Sequence, residues 1–241
     1  SWSDPDSSIL ALKIGATVEP HGHADVGNYI IHTHGKTVIR ELGIGRYADP
    51  GEWIFKDTDG HNLPLFNGKG QPRDVRLEGS VLETQFSNSY DFLKAEIGPA
   101  YSLDVLDSFT RSYLYIRPDI FVVFDRIQVN AATHLESRIH FAGNGIAHDG
   151  HIEIRNEQVS VAVKLLLPQE FDLVEDRHTG LKPGHADPES QEVDYLKLES
   201  DLSPGTFIVG VAFGIGTEPS ANIECKGSDY LVTYKGQHFN L

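Results

Sequence analysis

The 241-residue chain has 39% hydrophobic and 23% charged side chains, apolar material for one large β domain or two small ones, which excludes a disordered polypeptide. Its 35 acidic residues outnumber 20 basic ones for a net charge of -15, which excludes a nucleic-acid platform and confines any acidic polymer to a local cluster of Lys, Arg or His. No apolar run of about 18 residues is present to span a bilayer.

Ser1-Trp2-Ser3-Asp4 lacks the basic and apolar regions of a signal peptide, and the chain has no Met at all, so we expect a processed or excised piece of a longer protein. The lone Cys225 excludes an internal disulfide, leaves the compartment open, and reads as a small buried or idle thiol.

In chain order, short runs rich in branched and aromatic residues predict strands over 9–14, 29–33, 37–40, 113–116, 120–124, 159–163, 207–211 and 230–234, each bounded by Gly, Pro, Asn or Asp. No stretch keeps helical periodicity over three turns. His34-Gly35-Lys36 and Arg117-Pro118-Asp119 read as tight turns between strands. Many antiparallel strands at short spacing predict an all-β sandwich or barrel. The stretch from about Asp172 to Glu192 is the poorest in apolar residues, and we expect a long polar surface loop there within one domain spanning 1–241. The other reading of that stretch is a boundary between two small domains.

The chemistry concentrates between His21 and Gln71. His21-Gly22-His23-Ala24-Asp25 spaces two imidazoles and a carboxylate by two residues, so an extended backbone sends them from one face; a turn there leaves only polar loop residues ahead of a strand. His32 and His34 repeat the spacing, but on a strand face that reads as half-exposed. Glu41 closes the next strand, and His61-Asn62 follows Asp57-Thr58-Asp59-Gly60. Two histidines, one carboxylate and a water are a permitted tetrahedral zinc set. Arg46, Tyr47, Lys69 and Gln71 sit on two loops where they could contact sugar hydroxyls or a carboxylate, or simply be packed or solvated. Trp2 and Trp53 read as packing more readily than as sugar platforms, and Glu189 and Glu192 as a solvated face.

The order His21-x-His23-x-Asp25, then a hairpin ending Glu41-x-Gly43-x-x-x-Tyr47, then His61-Asn62 and Gly68-Lys69-Gly70-Gln71 resembles the heparinase II/III-like polysaccharide lyases. The resemblance continues loosely through Arg111 to Asp125, a strand pair around Pro118-Asp119, and beyond that by β character alone. It implies an antiparallel sandwich of the super-sandwich kind, part of a larger α+β multidomain protein. In that family the sandwich follows a helical toroid, with an acidic polysaccharide or oligosaccharide in the cleft between them.

The resemblance further implies one structural zinc ion held by His23, Glu41 and His61, a catalytic His21, and a periplasmic or secreted setting. Glu41 stands where the family carries Asp, so its carboxylate must reach by a different path. The reaction implied is β-elimination of a uronate, in which the C5 proton leaves, the O4 leaving group is protonated and the sugar carboxylate is neutralised. His21 has the chemistry to neutralise that carboxylate or move the proton. Two other readings of the same residues are a non-catalytic carbohydrate-binding or structural sandwich that keeps the metal loop, and an unrelated zinc hydrolase using His21, His23 and His61 with a metal-bound water.

Overall fold

The computed structural model describes residues 4, 6–17, 22–43, 53–73, 76–168, 173–181, 190–219, 221–226 and 229–240. Its first strands are β1 (Ile9–Leu12), β2 (Tyr29–Thr33), β3 (Lys36–Ile39), β4 (Pro64–Phe66), β5 (Ser80–Phe86) and β6 (Tyr90–Glu96). There follow β7 (Leu106–Ile116), β8 (Ile120–Val129), β9 (Thr133–His140), β10 (Asn144–His148), β11 (His151–Asn156) and β12 (Val159–Leu167). The last six are β13 (Val174–Leu181), β14 (Ser190–Leu202), β15 (Gly205–Ile215), β16 (Asn222–Lys226), β17 (Asp229–Tyr234) and β18 (Gln237–Asn240). Helical structure among the described residues is one turn, Trp53–Lys56, and two 3-10 turns at Thr58–Gly60 and Gly98–Ala100. No described helix is long and apolar enough to cross a membrane.

All strand pairs are antiparallel. An eight-stranded sheet in the order β10-β11-β12-β15-β8-β7-β6-β5 forms the middle layer. On one face it meets the sheets β1-β2-β3 and β13-β14-β9-β4, which a bridge between Ile39 and Phe141 joins edge to edge. The small sheet β16-β17-β18 covers part of the other face.

The alternation along β8 shows why this layer is continuous apolar sequence. Phe121, Val123, Ile127 and Val129 point into the core shared with Tyr29, Ile39, Leu135 and Leu196, whereas Ile120, Val122 and Phe124 point at Val232, Tyr234 and Phe239. A strand buried on both faces needs apolar residues at every position, so the run at 120–124 carries no polar alternation. Each large side chain so buried contributes about 1.5–3 kcal/mol. The β2–β3 hairpin closes through His34 and Gly35, both at positive φ (49° and 73°), the two-residue turn whose twist matches the strands.

One expectation is corrected here. Residues 174–181 and 190–192 do not lie in a long surface loop but pair as β13 and β14, Val174 opposite Lys197 through Leu181 opposite Ser190; 182–189 lie outside the described residues. The reason is that an edge strand is held by backbone hydrogen bonds and needs no apolar face of its own. Charge pairs replace it: Lys197 reaches Asp176 at 2.9 Å, and Arg177 pairs with Asp194. Charged side chains also suit an edge that must not recruit another chain.

Candidate metal centre

Three separate pieces of chain meet at the site: the loop 22–28 that enters β2, Glu41 just past β3, and His61-Asn62 between the 3-10 turn and β4. Asn62, fully buried, is the knot that joins them. Its side-chain amide donates to the carbonyls of Tyr29 (2.7 Å) and Arg40 (2.9 Å), and its side-chain oxygen accepts from the backbone N–H of His140 (2.6 Å). Its own N–H donates to Asn28 Oδ1 at 2.9 Å.

Beneath the knot lies Arg111. Its Nη1 donates to the carbonyls of Gly27 (2.9 Å) and Asn62 (2.7 Å), so a single guanidinium grips both loops. Tyr113 adds a hydroxyl bond to the Gly27 carbonyl at 2.7 Å. Gly27 has φ +90° and packs so closely that a Cβ would lie 2.6 Å from Ile97, which is why this turn takes glycine. From the other side, Gln71 clamps Val26, donating to its carbonyl (2.7 Å) and accepting from its N–H (2.9 Å). Thr58 Oγ1 donates to the Ala24 carbonyl at 2.9 Å and accepts from Gln71 N at 2.8 Å.

On this frame His23, Asp25 and His61 each offer one ligand atom, and these atoms lie within 4.8 Å of one another. The rings of His23 and His61 pack with centroids 5.2 Å apart. His61 is 0% exposed, and its Nδ1 lies 2.9 Å from Glu41 Oε2, which also accepts from Asn28 Nδ2 at 2.8 Å. A carboxylate only accepts, so Glu41 sets His61 as the Nδ1–H tautomer and leaves the lone pair on Nε2. That Nε2 is buried with no hydrogen-bond partner among the described residues.

The protonation states suit a set of metal donors. Burial, reinforced by the neighbouring His61, moves the His23 pKa below its ordinary 6.5, while Asp25 and Glu41 offset this only in part. Burial by itself would raise the Glu41 pKa, but the hydrogen bond and charge of His61, the charge of His23 and the Asn28 amide outweigh it, leaving the pKa below 4.5. The imidazole of His23 is thus kept neutral and the carboxylate of Glu41 ionised, the forms that serve a metal site. Two nitrogens and a carboxylate oxygen fit zinc, whereas calcium and magnesium prefer all-oxygen shells. A buried imidazole nitrogen with no partner and its other nitrogen on a carboxylate is the arrangement of a metal-bound histidine.

Of the residues expected from the sequence, His23, Glu41 and His61 come together here. Asp25, not Glu41, completes the group of mutually close donor atoms, and Glu41 instead braces His61. His21, Arg46 and Tyr47 lie outside the described residues. Lys69 is exposed on the turn between Phe66 and Lys69, and Gln71 is buried with its amide committed to Val26. His32 bonds Thr37 Oγ1 at 3.0 Å and His34 sits exposed at the hairpin turn. Asp25 was within reach of sequence reasoning, since it continues the two-residue spacing from His23; the roles of Lys13, Asn28 and Arg111 around the site carried no local signal.

A sequence profile described as heparinase II/III-like, C-terminal, matches residues 3–204. No curated protein matches the chain. Among solved structures, a heparan sulfate lyase from Pedobacter heparinus is 15% identical over 97% of this chain, with TM-score 0.79, and a heparinase III, the BT4657 gene product, is 16% identical over 100% of it, with TM-score 0.81. A chondroitin AC lyase from Streptomyces coelicolor is more distant, at 10% identity over 95% of this chain and TM-score 0.51. The chain spans 39% of the length of the first two structures and 35% of the third. At these identities the structures speak for the fold, an antiparallel β-sandwich, while the profile covers most of the sequence. This chain therefore belongs to the heparinase II/III-like C-terminal family.

Proposed function

We propose that this chain is the β domain of a polysaccharide lyase that cleaves a uronic-acid-containing polymer, of glycosaminoglycan or alginate type, by β-elimination. The observation that carries the reading is the His23, Asp25 and His61 cluster, braced by Glu41, inside the stretch matched by the family profile. On this reading zinc is held by His23, Asp25 and His61 and supplies a fixed positive charge that pins the 22–28 loop to the body of the sandwich. β-Elimination needs no activated water, so the role is structural. Glu41 keeps the His61 ring turned toward the cluster, and Arg111 and Gln71 hold the loop from opposite sides.

His21 stands two residues ahead of His23, so anchoring His23 limits where His21 can go. Its imidazole neutralises the substrate carboxylate or relays the C5 proton, and a helical toroid supplies the opposing wall of the cleft with its acid/base group. Lys69, on its exposed turn, contacts the acidic substrate at the periphery, and Arg46 and Tyr47 are further substrate-contact residues on this reading. A periplasmic or secreted setting belongs to the same proposal.

A second reading is a carbohydrate-binding or structural module without catalysis, favoured by Glu41, which bonds His61 rather than joining the group of mutually close donor atoms. The test is to treat the full-length natural protein with glycosaminoglycans and alginate and follow the ultraviolet absorbance of the unsaturated product, alongside elemental analysis. Product formation abolished by His21→Ala, with about one zinc per chain lost in His23→Ala/His61→Ala, supports the lyase. Zinc and binding without product support the module, and chelator-sensitive hydrolysis without ultraviolet product supports a zinc hydrolase.

A further inference from the structure

Lys13 lies just past β1, where its backbone N–H donates to the Asn28 carbonyl (3.1 Å) and its carbonyl accepts from Gly27 N (2.7 Å). The residue is therefore tied to the metal loop through its main chain. Its ammonium contacts Asp25 Oδ1 and lies 3.4 Å from the carbonyl of His23. Asp25 is 8% exposed, and a carboxylate at that depth without a cation would be costly. Lys13 is thus the cation that balances Asp25 in the metal-free protein.

A divalent ion bound by His23, Asp25 and His61 would meet that ammonium across one carboxylate. The two cations repel in a partly desolvated site, where Coulomb interactions are several times stronger than in water. The ammonium has somewhere to go: the Lys13 side chain is 35% exposed on a flexible four-carbon stem.

We propose that Lys13 is a built-in competitor for the metal, its ammonium holding Asp25 when the cluster is empty and swinging into solvent when a divalent cation takes the carboxylate. The inference rests on the metal reading of the cluster and adds that Lys13 sets its affinity. It explains how the loop stays folded before metal arrives, and it makes metal uptake an exchange of one cation for another. Neutralising Lys13 therefore does two opposite things: it leaves Asp25 unbalanced in the metal-free protein, and it removes the metal's competitor.

The experiment is zinc titration against a chromophoric chelator, with thermal unfolding of metal-free and zinc-saturated protein, for the parent chain, Lys13→Gln and Lys13→Arg. Lys13→Gln is expected to bind zinc about tenfold or more tightly, a difference of 1.4 kcal/mol per decade, and to melt lower than the parent only when metal-free. Lys13→Arg, which keeps the charge, is expected to return both values toward the parent. Equal or weaker zinc binding by Lys13→Gln, with the parent binding zinc, overturns the inference and leaves the metal reading intact; no zinc in either overturns both. A measurement on the unaltered chain covers the case in which the variant does not fold. Reductive methylation read by mass spectrometry should show Lys13 protected without zinc and reactive with it, and unchanged or reduced labelling on adding zinc overturns the inference.

Discussion

Arg111 and Asp125 stand directly opposite each other on β7 and β8 and close a two-pronged ion pair, with Nε and Nη2 at 2.6 and 2.7 Å from the two carboxylate oxygens. Their side chains are 3% and 5% exposed. Burial alone would weaken the Arg111 cation, but the charge and hydrogen bonds of Asp125 outweigh it and raise its pKa. The pair is what makes the third prong possible: with two nitrogens committed to Asp125, Nη1 is aimed at the Gly27 and Asn62 carbonyls under the loops of the candidate site.

Removing one member should therefore cost more than the ion pair itself. Asp125→Asn leaves a buried guanidinium under-compensated, a change of about 3–5 kcal/mol in unfolding free energy. Arg111→Lys cannot reproduce the fork and should lose both stability and zinc affinity. Urea denaturation together with zinc titration checks this; a variant with parental stability and affinity would show that the pair is incidental.

Glu41 acts on the cluster through His61. Glu41→Gln keeps the shape but offers a weaker, neutral acceptor, so zinc affinity should fall about 10- to 100-fold while His23, Asp25 and His61 remain in place. His23→Ala removes a ligand outright and should lower both the melting temperature of the zinc-loaded protein and its activity. A chelator that leaves the parent melting curve unmoved would count against a structural metal.

Gln71 distinguishes a brace from a sugar contact. Gln71→Ala strands the Val26 N–H and carbonyl in the interior, at about 1–3 kcal/mol for each unsatisfied group. The expected outcome is a lower melting temperature with weakened zinc binding. Parental stability with a raised KM would instead assign Gln71 to the substrate.

Acid should loosen the metal-free protein in two steps. The folded-state pKa of His23 lies below 6.5, so as pH falls below that value the unfolded chain takes up the proton first and stability declines until the folded pKa is passed. Glu41 contributes in the same direction below 4.5, its stabilisation present above that value and lost as pH falls through its lowered folded pKa. Urea midpoints from pH 8 to pH 4 should decline, and His23→Gln should remove the upper part of the decline. A flat midpoint between pH 7 and pH 5 in the parent would sink the assignment.

The sequence by itself determined much of the framework. Each of the eight predicted runs falls on a strand, because branched and aromatic side chains report local preference and burial: 120–124 lies within β8, 207–211 within β15, and 230–234 within β17. It also marked His23, Glu41 and His61 as parts of one site, through the order of the motifs. Strands whose signal is carried by one buried face, such as β9 and β14, were harder to read, and the charged β13 gave no signal because backbone pairing and charge pairs hold it without an apolar face.

Only the tertiary structure decided which atoms meet. The carboxylate beside His23 and His61 is Asp25, and Glu41 reaches His61 Nδ1, a choice made by the paths of two loops that Arg111 and Asn62 tie together from 49 residues apart in sequence. Lys13 came to Asp25 by the packing of β1 against the same loop. Strand preference depends on neighbours in sequence, whereas a site assembled from three loops depends on long-range hydrogen bonds that no short window of sequence contains.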